Sequence, residues 1–431
     1  MKKMRFVAIG ATMILAGSLA FAQYSMTNTA TKGVFKTDVD NYMDVNTWGG
    51  VQPEKIFAFT NFYSSSLNLG AAKSFGNFYL GAYFSGNIPR IQTYQNKTDD
   101  YTVDVSTSGY SSTTVPTGLS TLATGVTFPT LTYDIKSLNF SLLFGFGNIG
   151  IKAGLYYYPN NLSAKVNYTD ASTDDIAYNW TSDEIEPFLR FGYTTELAGK
   201  SFMVNASASF WFNQQKTEIT QGSTTTIYNG SNSYNVLSFT AGATYEFYKT
   251  ESIAHSAAFN ATYQALLYPK EISIVNGSAV TTQDYSGGYV YFAPSYKFTF
   301  TPVEAVSLGL TAIVPFNISF RSTSSKYSSF NMGATVNMAL QYTIKPDFLF
   351  FNLGGRLSLG NLIQISSDND SRNNQNQFFT GSSIDLSTGL TFNFTKNISL
   401  DTSFDFMDSS QMASLDDIWK TKIGLQLSIK Y

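Results

Sequence analysis

Large apolar side chains occupy every second position over runs of about ten residues, and this alternation is the strongest constraint on the fold. The last run extends from Trp419 to Tyr431, and large apolar residues alternate with small or polar ones from Ile423 onward. Because successive side chains of a strand point to opposite faces, each run predicts a strand with one apolar and one polar face. Comparable runs begin at Leu138, Ile149, Phe202, Met332 and Ile384.

The length of these runs favours a membrane protein over a soluble β-sandwich. Strands of soluble proteins average about 5–6 residues, whereas a tilted strand that crosses a bilayer needs about 9–11. Charged residues are only 13% of the chain and aromatic residues are 16%, against a usual charged share of about 25%. The pattern therefore predicts an all-β chain whose strands span a membrane.

Composition also narrows the chemistry. The chain has no Cys and a single His, and its formal net charge is -3. The absence of Cys excludes a thiol nucleophile and a thiolate metal site, and a nucleic-acid binder should carry a basic patch. We expect no cofactor, no bound metal and no nucleic-acid partner.

The first residues resemble an export signal. Lys2, Lys3 and Arg5 precede an apolar stretch, and Ala20 and Ala22 provide the small residues of a cleavage site. This pattern is typical of a secretory signal peptide, so we expect export through the inner membrane and cleavage near Ala22, before Gln23.

The spanning alternation, the signal peptide and the closing strand together resemble a bacterial outer-membrane β-barrel of the porin-like type. The resemblance implies a transmembrane antiparallel up-and-down β-barrel in the bacterial outer membrane, surrounded by outer-membrane lipids. It also implies that Trp419 and Tyr431 lie at the membrane interfaces, and that the terminal aromatic strand is the signal read by the barrel-assembly machinery.

Turn residues separate the strands and predict their number. Counting the runs gives 16 strands if a hairpin breaks at Ser64-Ser65-Ser66, and about 14 is the alternative, since bacterial single-chain barrels have even numbers. We divide the chain into a signal peptide (1–22), a leader that is a possible lumen plug (23–53) and the barrel (54–431). Whether the leader enters the lumen or stays in the periplasm is left open.

Short and long connections alternate along the chain. Short turns are predicted near Gly76, Gly147, Gly199, Glu251, Glu304, Pro346 and Lys396. Long polar loops are predicted at 89–130, 159–182, 218–232, 269–284, 366–377 and 408–418. In outer-membrane barrels short turns lie in the periplasm and long loops lie outside the cell.

The polar face of the strands predicts a wet lumen, since it consists mainly of Gly, Ser, Thr, Asn and Gln. Charges on that face are candidates to line a pore, because opposed charges at a constriction set ion selectivity. The predicted pore-lining charges are Lys152, Glu186, Arg190, Glu246, Lys297, Arg356, Asp401 and Asp405.

Catalysis is not expected. His255 follows a short turn, and the alternation directs it towards lipid near the periplasmic interface. Outer-membrane phospholipases have a Ser two residues after an outward His, whereas this chain has Ala257 there. Acidic residues in the loop around Asp368 and Asp370 lack the Gly and distal Glu of an EF-hand.

Three functions remain open from the sequence. The first is a channel that passes small solutes across the outer membrane. The second is a transporter of hydrophobic molecules, similar to the long-chain fatty-acid transporter family, which has 14 strands and an N-terminal hatch. The chain lacks the Asn-Pro-Ala element of that family near its mature N-terminus. The third is a surface adhesin or structural barrel that acts through long loops, chiefly residues 89–130.

Overall fold

The computed structural model describes residues 30–32, 34–35, 38–44, 55–63, 66–87, 91–108, 126, 137–170, 173–229, 235–267, 270–275, 278–284, 286–322, 326–368, 375–408 and 422–430. Its elements are α1 (Asp38–Met43), β1 (Ile56–Tyr63), β2 (Ser66–Phe75), β3 (Phe78–Asn87), β4 (Ile91–Lys97), β5 (Tyr101–Ser108), β6 (Leu138–Phe146), β7 (Ile149–Tyr168), β8 (Ile176–Leu197), β9 (Lys200–Gln221), β10 (Thr224–Asn229), β11 (Asn235–Lys249), β12 (Ile253–Leu267), β13 (Lys270–Val275), β14 (Ser278–Asp284), β15 (Ser286–Val303), β16 (Val306–Ile313), β17 (Phe316–Ser322), β18 (Lys326–Lys345), β19 (Leu349–Asp368), β20 (Gln375–Thr395), β21 (Ile398–Asp408) and β22 (Lys422–Lys430).

The strands form a closed antiparallel barrel of 16 strands. The wall consists of β1–β3, β6–β9, β11, β12 and β15–β22, with β16 and β17 sharing one position between β15 and β18. β1 pairs with β2 on one side and with β22 on the other. This pairing closes the wall, so that no wall strand is left as an exposed edge.

The predicted strand number of 16 is confirmed, and the alternative of 14 is not. β1 and β2 are separate strands that pair from Tyr63↔Ser66 to Ile56↔Lys73, as the hairpin at Ser64-Ser65-Ser66 required. The position shared by β16 and β17 is interrupted at Pro315, because proline has no N–H for the ladder. The wall stays bonded across this break through the Val314 N–H, which donates to the Pro294 carbonyl at 3.0 Å.

The outward face of the wall is an apolar band. On β6, Phe140 and Leu142 are 54% and 56% exposed, whereas Asn139 and Ser141 are 2% and 1% exposed. Exposed apolar residues alternate with covered ones in the same way along β22 and along the wall parts of β8 and β20. In a soluble protein the exposed side chains are polar and the covered ones apolar, whereas here the distribution is reversed. The outward face of these strands is therefore suited to hydrocarbon.

The seven short turns predicted from the sequence lie at one end of the barrel, here named the turn end. They fall at the predicted positions, and Gly76, Gly147 and Gly199 adopt φ of 69°, 51° and 69°. Glycine suits such left-handed positions because it has no Cβ. The opposite end is named the loop end, and in outer-membrane barrels it faces outward from the cell.

Several segments predicted as loops are strands, which corrects the sequence analysis. β7, β8 and β9 continue beyond the wall to Tyr168, Ile176 and Gln221, and β4, β5 and β10 extend the same sheet. The predicted loop 269–284 contains the separate hairpin β13–β14.

This extension has the opposite polarity to the wall, which explains the error. Its inner face is an apolar cluster that includes Leu162, Val166, Ile176 and Ile219. Its outer face carries exposed polar residues such as Lys165 on β7. A polar outer face at the loop end is suited to water rather than lipid. The sequence analysis placed the end of each strand where its outer face changes from apolar to polar, and so predicted loops here.

Some predictions lie outside the described residues. They include the signal peptide, Trp419, Tyr431, and most of the loops 89–130 and 408–418. Within the described residues, no helix is long and apolar enough to cross a membrane.

Candidate lumen site

The N-terminal residues described between 30 and 44, here named the lumen segment, lie against the inner face of the barrel. Their contacts go to side chains that alternate with the outward apolar residues, and those side chains point into the bore. Ala30, Val34, Val39 and Met43 are almost completely buried. The segment is therefore packed inside the lumen.

The first anchor lies on β19, β20 and β21. The Ser387 hydroxyl donates to the Ala30 carbonyl at 2.8 Å, and Lys32 Nζ lies 3.0 Å from an Asp405 carboxylate oxygen. A Cβ on Gly354 would collide with the Ala30 carbonyl and approach the Thr31 backbone. Gly354 thus provides the space in which the chain lies.

The second anchor lies on β15 and β16. Lys297 Nζ donates to the Val34 carbonyl, and Val34 and Phe35 fill the space that a Cβ on Gly309 would need. Both inward glycines, Gly309 and Gly354, therefore permit close approach of the lumen segment to the wall.

The third anchor is α1, which packs on an aromatic part of the inner wall. Val39, Tyr42 and Met43 form one buried cluster with residues of β1, β2, β3 and β6. The wall residues of this cluster, here named the aromatic sector, are Phe57, Phe59, Ala72, Tyr79, Tyr83 and Leu143. Burial of several large side chains against α1 makes this the most apolar contact of the segment.

Polar contacts fix both ends of α1. The Tyr79 hydroxyl donates to the Tyr42 carbonyl at 3.1 Å, and Lys152 Nζ donates to the Met43 carbonyl at 3.2 Å. Lys430 Nζ lies 3.2 Å from an Asp38 carboxylate oxygen. The last carbonyls of a helix lack partners within it, so Tyr79 and Lys152 satisfy them.

The anchors lie on widely separated parts of the wall. β3, which carries Tyr79, and β15, which carries Lys297, are roughly opposite in the order of wall strands. A segment tied to both reaches across the bore. The lumen segment therefore narrows the bore. In porins, barrels of about this strand number leave an aqueous channel.

A polar part of the inner wall, here named the polar sector, is hydrogen-bonded from strand to strand. Gln341 donates to Asn352 at 3.0 Å, Asn352 donates to the Thr391 hydroxyl at 3.2 Å, and Thr391 donates to Asp401 at 2.6 Å. Gln426 donates to the other Asp401 oxygen at 3.1 Å. The sector satisfies its buried polar groups within the wall itself.

All eight predicted pore-lining charges have inward positions. They fall into groups according to the residues that they contact. Lys152, Lys297 and Asp405 hold the lumen segment, and Asp401 belongs to the polar sector. Arg190 lies opposite Lys152 in the register and donates to the Tyr156 hydroxyl at 3.2 Å.

The remaining predicted charges are dispersed. Glu186 lies opposite Tyr156 on the neighbouring strand. Arg356 Nε donates to Asn337 at 3.0 Å. Glu246 lies 3.3 Å from Lys249 at the turn end. The structure therefore brings together only part of the set, and a role in ion selectivity stays a prediction.

The middle of the inner face of β9, β11 and β12 carries mainly small or polar residues. Asn205 and Asn260 flank Gly242 on adjacent strands, and the hydroxyls of Thr240 and Thr262 lie 2.9 Å apart. At the turn end of this side, a cavity of about 650 Å³ is lined by Asn148, Thr194, Thr195, Glu196, Gly199, Lys200, Ser201, Glu246 and Lys249.

Sequence reasoning missed the aromatic sector. Its signal is present in β1, where Phe57 and Phe59 alternate with Ile56 and Ala58, so that both faces of the strand are apolar. Apolar residues on both faces indicate packing on both sides. The lumen expected to be lined mainly by small and polar residues therefore has an apolar part on this side of the bore.

His255 faces outward, as predicted. Its Nδ1 lies 2.5 Å from the Tyr296 hydroxyl, and the rings of Phe247, Tyr248 and Phe298 surround it. Aromatic residues with polar groups are typical of a membrane interface. Among the described residues, no group of His, Cys, Asp and Glu could hold a metal ion.

Neither a family model nor a curated protein matches this chain. Solved structures do. CdiB from Escherichia coli shares 9% identity with a TM-score of 0.43, and the match covers 88% of this chain and 64% of CdiB.

The toluene transporter TbuX from Ralstonia pickettii shares 10% identity with a TM-score of 0.36, over 95% and 99% of the two chains. OmpT, an outer membrane protein of Vibrio cholerae, shares 8% identity with a TM-score of 0.31, over 87% and 97%. The chain spans less than two thirds of two CdiB structures, 64% and 60%. Its fold is that of an outer-membrane β-barrel.

Proposed function

We propose that this protein is a channel of the bacterial outer membrane that passes small solutes, and that the lumen segment narrows its bore. The proposal includes export by the signal peptide and insertion with the turn end in the periplasm. The observation that carries it is the attachment of residues 30–44 to opposite parts of the inner wall. A segment attached in this way would limit which solutes pass beside it.

The path in this proposal runs beside the lumen segment, along β9, β11 and β12. Side chains there such as Ser207 and Thr262 are small, and their hydroxyl groups can replace part of the hydration of a solute. The polar cavity at the turn end would be its periplasmic mouth. Glu246 and Lys249 would then meet solutes at that mouth.

A specific observation also favours the second candidate, a transporter of hydrophobic molecules. The aromatic sector gives the lumen an apolar surface, which a purely aqueous channel does not require. In that case α1 would have to leave the sector before cargo could touch it. The two candidates differ in whether the resting barrel conducts ions.

Single-channel recording in a planar bilayer tests the proposal. The variant Gly354→Ala places a methyl group against the Ala30 carbonyl and should displace the lumen segment. Gly355→Ala is the matched control, because its methyl group would meet only a Leu386 side chain, at 3.3 Å. We expect stepwise conductance from the wild type and a several-fold larger step from Gly354→Ala alone. Electrical silence of both proteins would reject the channel.

A further inference from the structure

The single histidine of the chain lies in a cluster of aromatic rings on the outward face of the wall. In the strand registers His255 pairs directly with Tyr248 of β11 and with Phe298 of β15. The ring centres of four aromatic residues lie 5.0 to 5.9 Å from the imidazole centre, and these residues are Phe247, Tyr248, Tyr296 and Phe298. His255 and these four residues, on three neighbouring strands, are here named the histidine cage.

A β-bulge brings one of these rings to the cage. The register between β11 and β12 shifts from Glu246↔Ser256 to Tyr248↔His255, so that Phe247 is an extra residue of β11. Successive side chains of a regular strand point to opposite faces, yet Phe247 and Tyr248 are 44% and 47% exposed and both rings lie beside His255. Bulges redirect side chains in this way and are common beside functional sites. The cage is therefore a local departure from the regular wall.

The imidazole of His255 has one ring nitrogen that the wall does not satisfy. Nδ1 lies 2.5 Å from the Tyr296 hydroxyl, and Nε2 has no hydrogen-bond partner among the described residues. A neutral imidazole carries one N–H and one acceptor nitrogen. When the Tyr296 hydroxyl donates to Nδ1, the hydrogen lies on Nε2, which then needs an acceptor. On an outward face that acceptor has to come from outside the wall, because an unpaired polar group in hydrocarbon is costly.

The depth of the cage determines which acceptor can reach it. His255 is the third residue of β12, which begins at Ile253 directly after the turn in which the Thr250 N–H donates to the Ile253 carbonyl. At about 3.4 Å per residue, His255 lies within about 10 Å of the turn end, where the headgroup region of a bilayer borders the hydrocarbon. Lipid phosphates lie in that region, and a charged acceptor makes a hydrogen bond about twice as strong as a neutral one. A lipid phosphate is therefore the acceptor that best matches Nε2.

We propose that the histidine cage binds the phosphate group of a glycerophospholipid from the leaflet at the turn end. The Nε2–H of His255 donates to a phosphate oxygen, and the Tyr296 hydroxyl holds the imidazole in this orientation through Nδ1. The exposed rings of Phe247 and Tyr248 pack against the glycerol and the first acyl carbons of the lipid. Because the site lies on the outward face, it is independent of any path for solutes through the lumen.

Native mass spectrometry of the full chain in detergent, titrated with defined lipids, tests the proposal. Dioleoyl phosphatidylethanolamine carries a phosphate, whereas dioleoylglycerol has the same acyl chains and no phosphate. We expect saturable binding of the phospholipid, and binding of dioleoylglycerol that is at least about tenfold weaker. Excess inorganic phosphate should leave the bound lipid in place, because it lacks the acyl chains. Equal affinity for the two lipids would overturn the phosphate site, and displacement by inorganic phosphate would overturn its assignment to a lipid.

Substitutions at His255 locate the bound lipid. His255→Phe keeps a ring but removes the Nε2–H, so it should weaken phosphatidylethanolamine binding about tenfold and leave dioleoylglycerol binding unchanged. His255→Gln keeps an N–H donor and should retain most of the affinity. Tyr263→Phe is the matched control, because Tyr263 lies on the same strand, farther from the turn end, and is 43% exposed. An equal loss in Tyr263→Phe would show that outward aromatic residues bind lipid in general, and would overturn the cage as a site.

Tyr296 is a positioning residue in this proposal, and a double-mutant cycle tests that role. Tyr296→Phe should weaken phosphatidylethanolamine binding several-fold when His255 is present, and should have no further effect in the His255→Phe background. Additive losses would overturn the orientation of the imidazole through Nδ1. An unchanged phospholipid affinity in His255→Phe would reject the site, and the channel would still be judged by the bilayer recording alone.

Discussion

The aromatic sector and the polar sector line the same bore, yet they are stabilised in different ways. The aromatic sector is covered by α1, and residues such as Phe57 and Tyr79 have no exposed surface while α1 is in place. The polar sector satisfies its groups along its own strands, from Gln341 to Gln426. The difference teaches that α1 is held mainly by apolar packing on its sector, whereas the hydrogen bonds of the polar sector run from one wall strand to the next.

The largest expected effect is loss of the apolar contact. Phe57→Ala should weaken docking of α1 by about 3 kcal/mol, since a buried Phe→Ala change costs about 3–5 kcal/mol. In a Met43→Cys background, reaction with a membrane-impermeant maleimide should become about 100-fold faster. The chain has no other Cys, so the label reports this position alone.

Phe62→Ala is the matched control for that experiment. Phe62 lies on the same strand but is 51% exposed on the outward face. Its removal should leave the labelling rate of Met43→Cys unchanged. Equal acceleration by both variants would show that the barrel as a whole had loosened.

A charge reversal should have the next largest effect. Lys32→Glu places two carboxylates together where Lys32 and Asp405 now pair with little exposure, and loss of a partly buried ion pair costs about 1.5–3 kcal/mol. Conductance in a planar bilayer should rise. The double variant Lys32→Glu, Asp405→Lys should restore the wild-type conductance, and failure of this rescue would contradict a direct pairing.

A substitution in the polar sector should lower the stability of the barrel and leave the docking of α1 unchanged. Asp401→Asn replaces one acceptor oxygen by an NH₂ group facing Thr391 or Gln426, which should cost about 1–3 kcal/mol of barrel stability. Unfolding in urea would measure this loss. Labelling of Met43→Cys should stay at its wild-type rate, and a large acceleration would mean that the two sectors are not independent.

The smallest effect is expected at Lys430. Its pair with Asp38 is more exposed than the Lys32–Asp405 pair, and exposed pairs contribute about 0–1 kcal/mol. Lys430→Met should speed labelling of Met43→Cys by no more than a few-fold, and high salt should remove the difference. A tenfold change would show that this pair is a principal anchor.

The sequence was sufficient for the wall because alternation and turn residues are local signals. Turn residues located the hairpin at Ser64-Ser65-Ser66 and the turn glycines, and period-two alternation gave the outward position of His255. The extension at the loop end could not be placed, because its strands invert their polarity where lipid gives way to water. A segment with inverted alternation can still form a strand. In β7 the apolar residues Leu162 and Val166 lie on the inner face of the extension.

The candidate site was only partly predictable for a different reason. Inward charges such as Lys152 and Lys297 were identified by position, but their partners are backbone carbonyls of the lumen segment. Because every residue has a backbone carbonyl, the sequence does not indicate which carbonyl accepts a given hydrogen bond. Contacts between residues separated by hundreds of positions, such as Lys32 and Asp405, depend on the closed barrel and have no local signal.

The most direct test of the account is the accessibility of Met43 in the resting barrel. The labelling rate of Met43→Cys should be compared with that of Asn77→Cys, which lies in an exposed turn at the turn end. If the lumen segment fills the bore, Met43→Cys should react at least about 100-fold more slowly, because its opening costs about 3 kcal/mol or more. Similar rates at the two positions would show that the segment lies outside the lumen and would contradict the account.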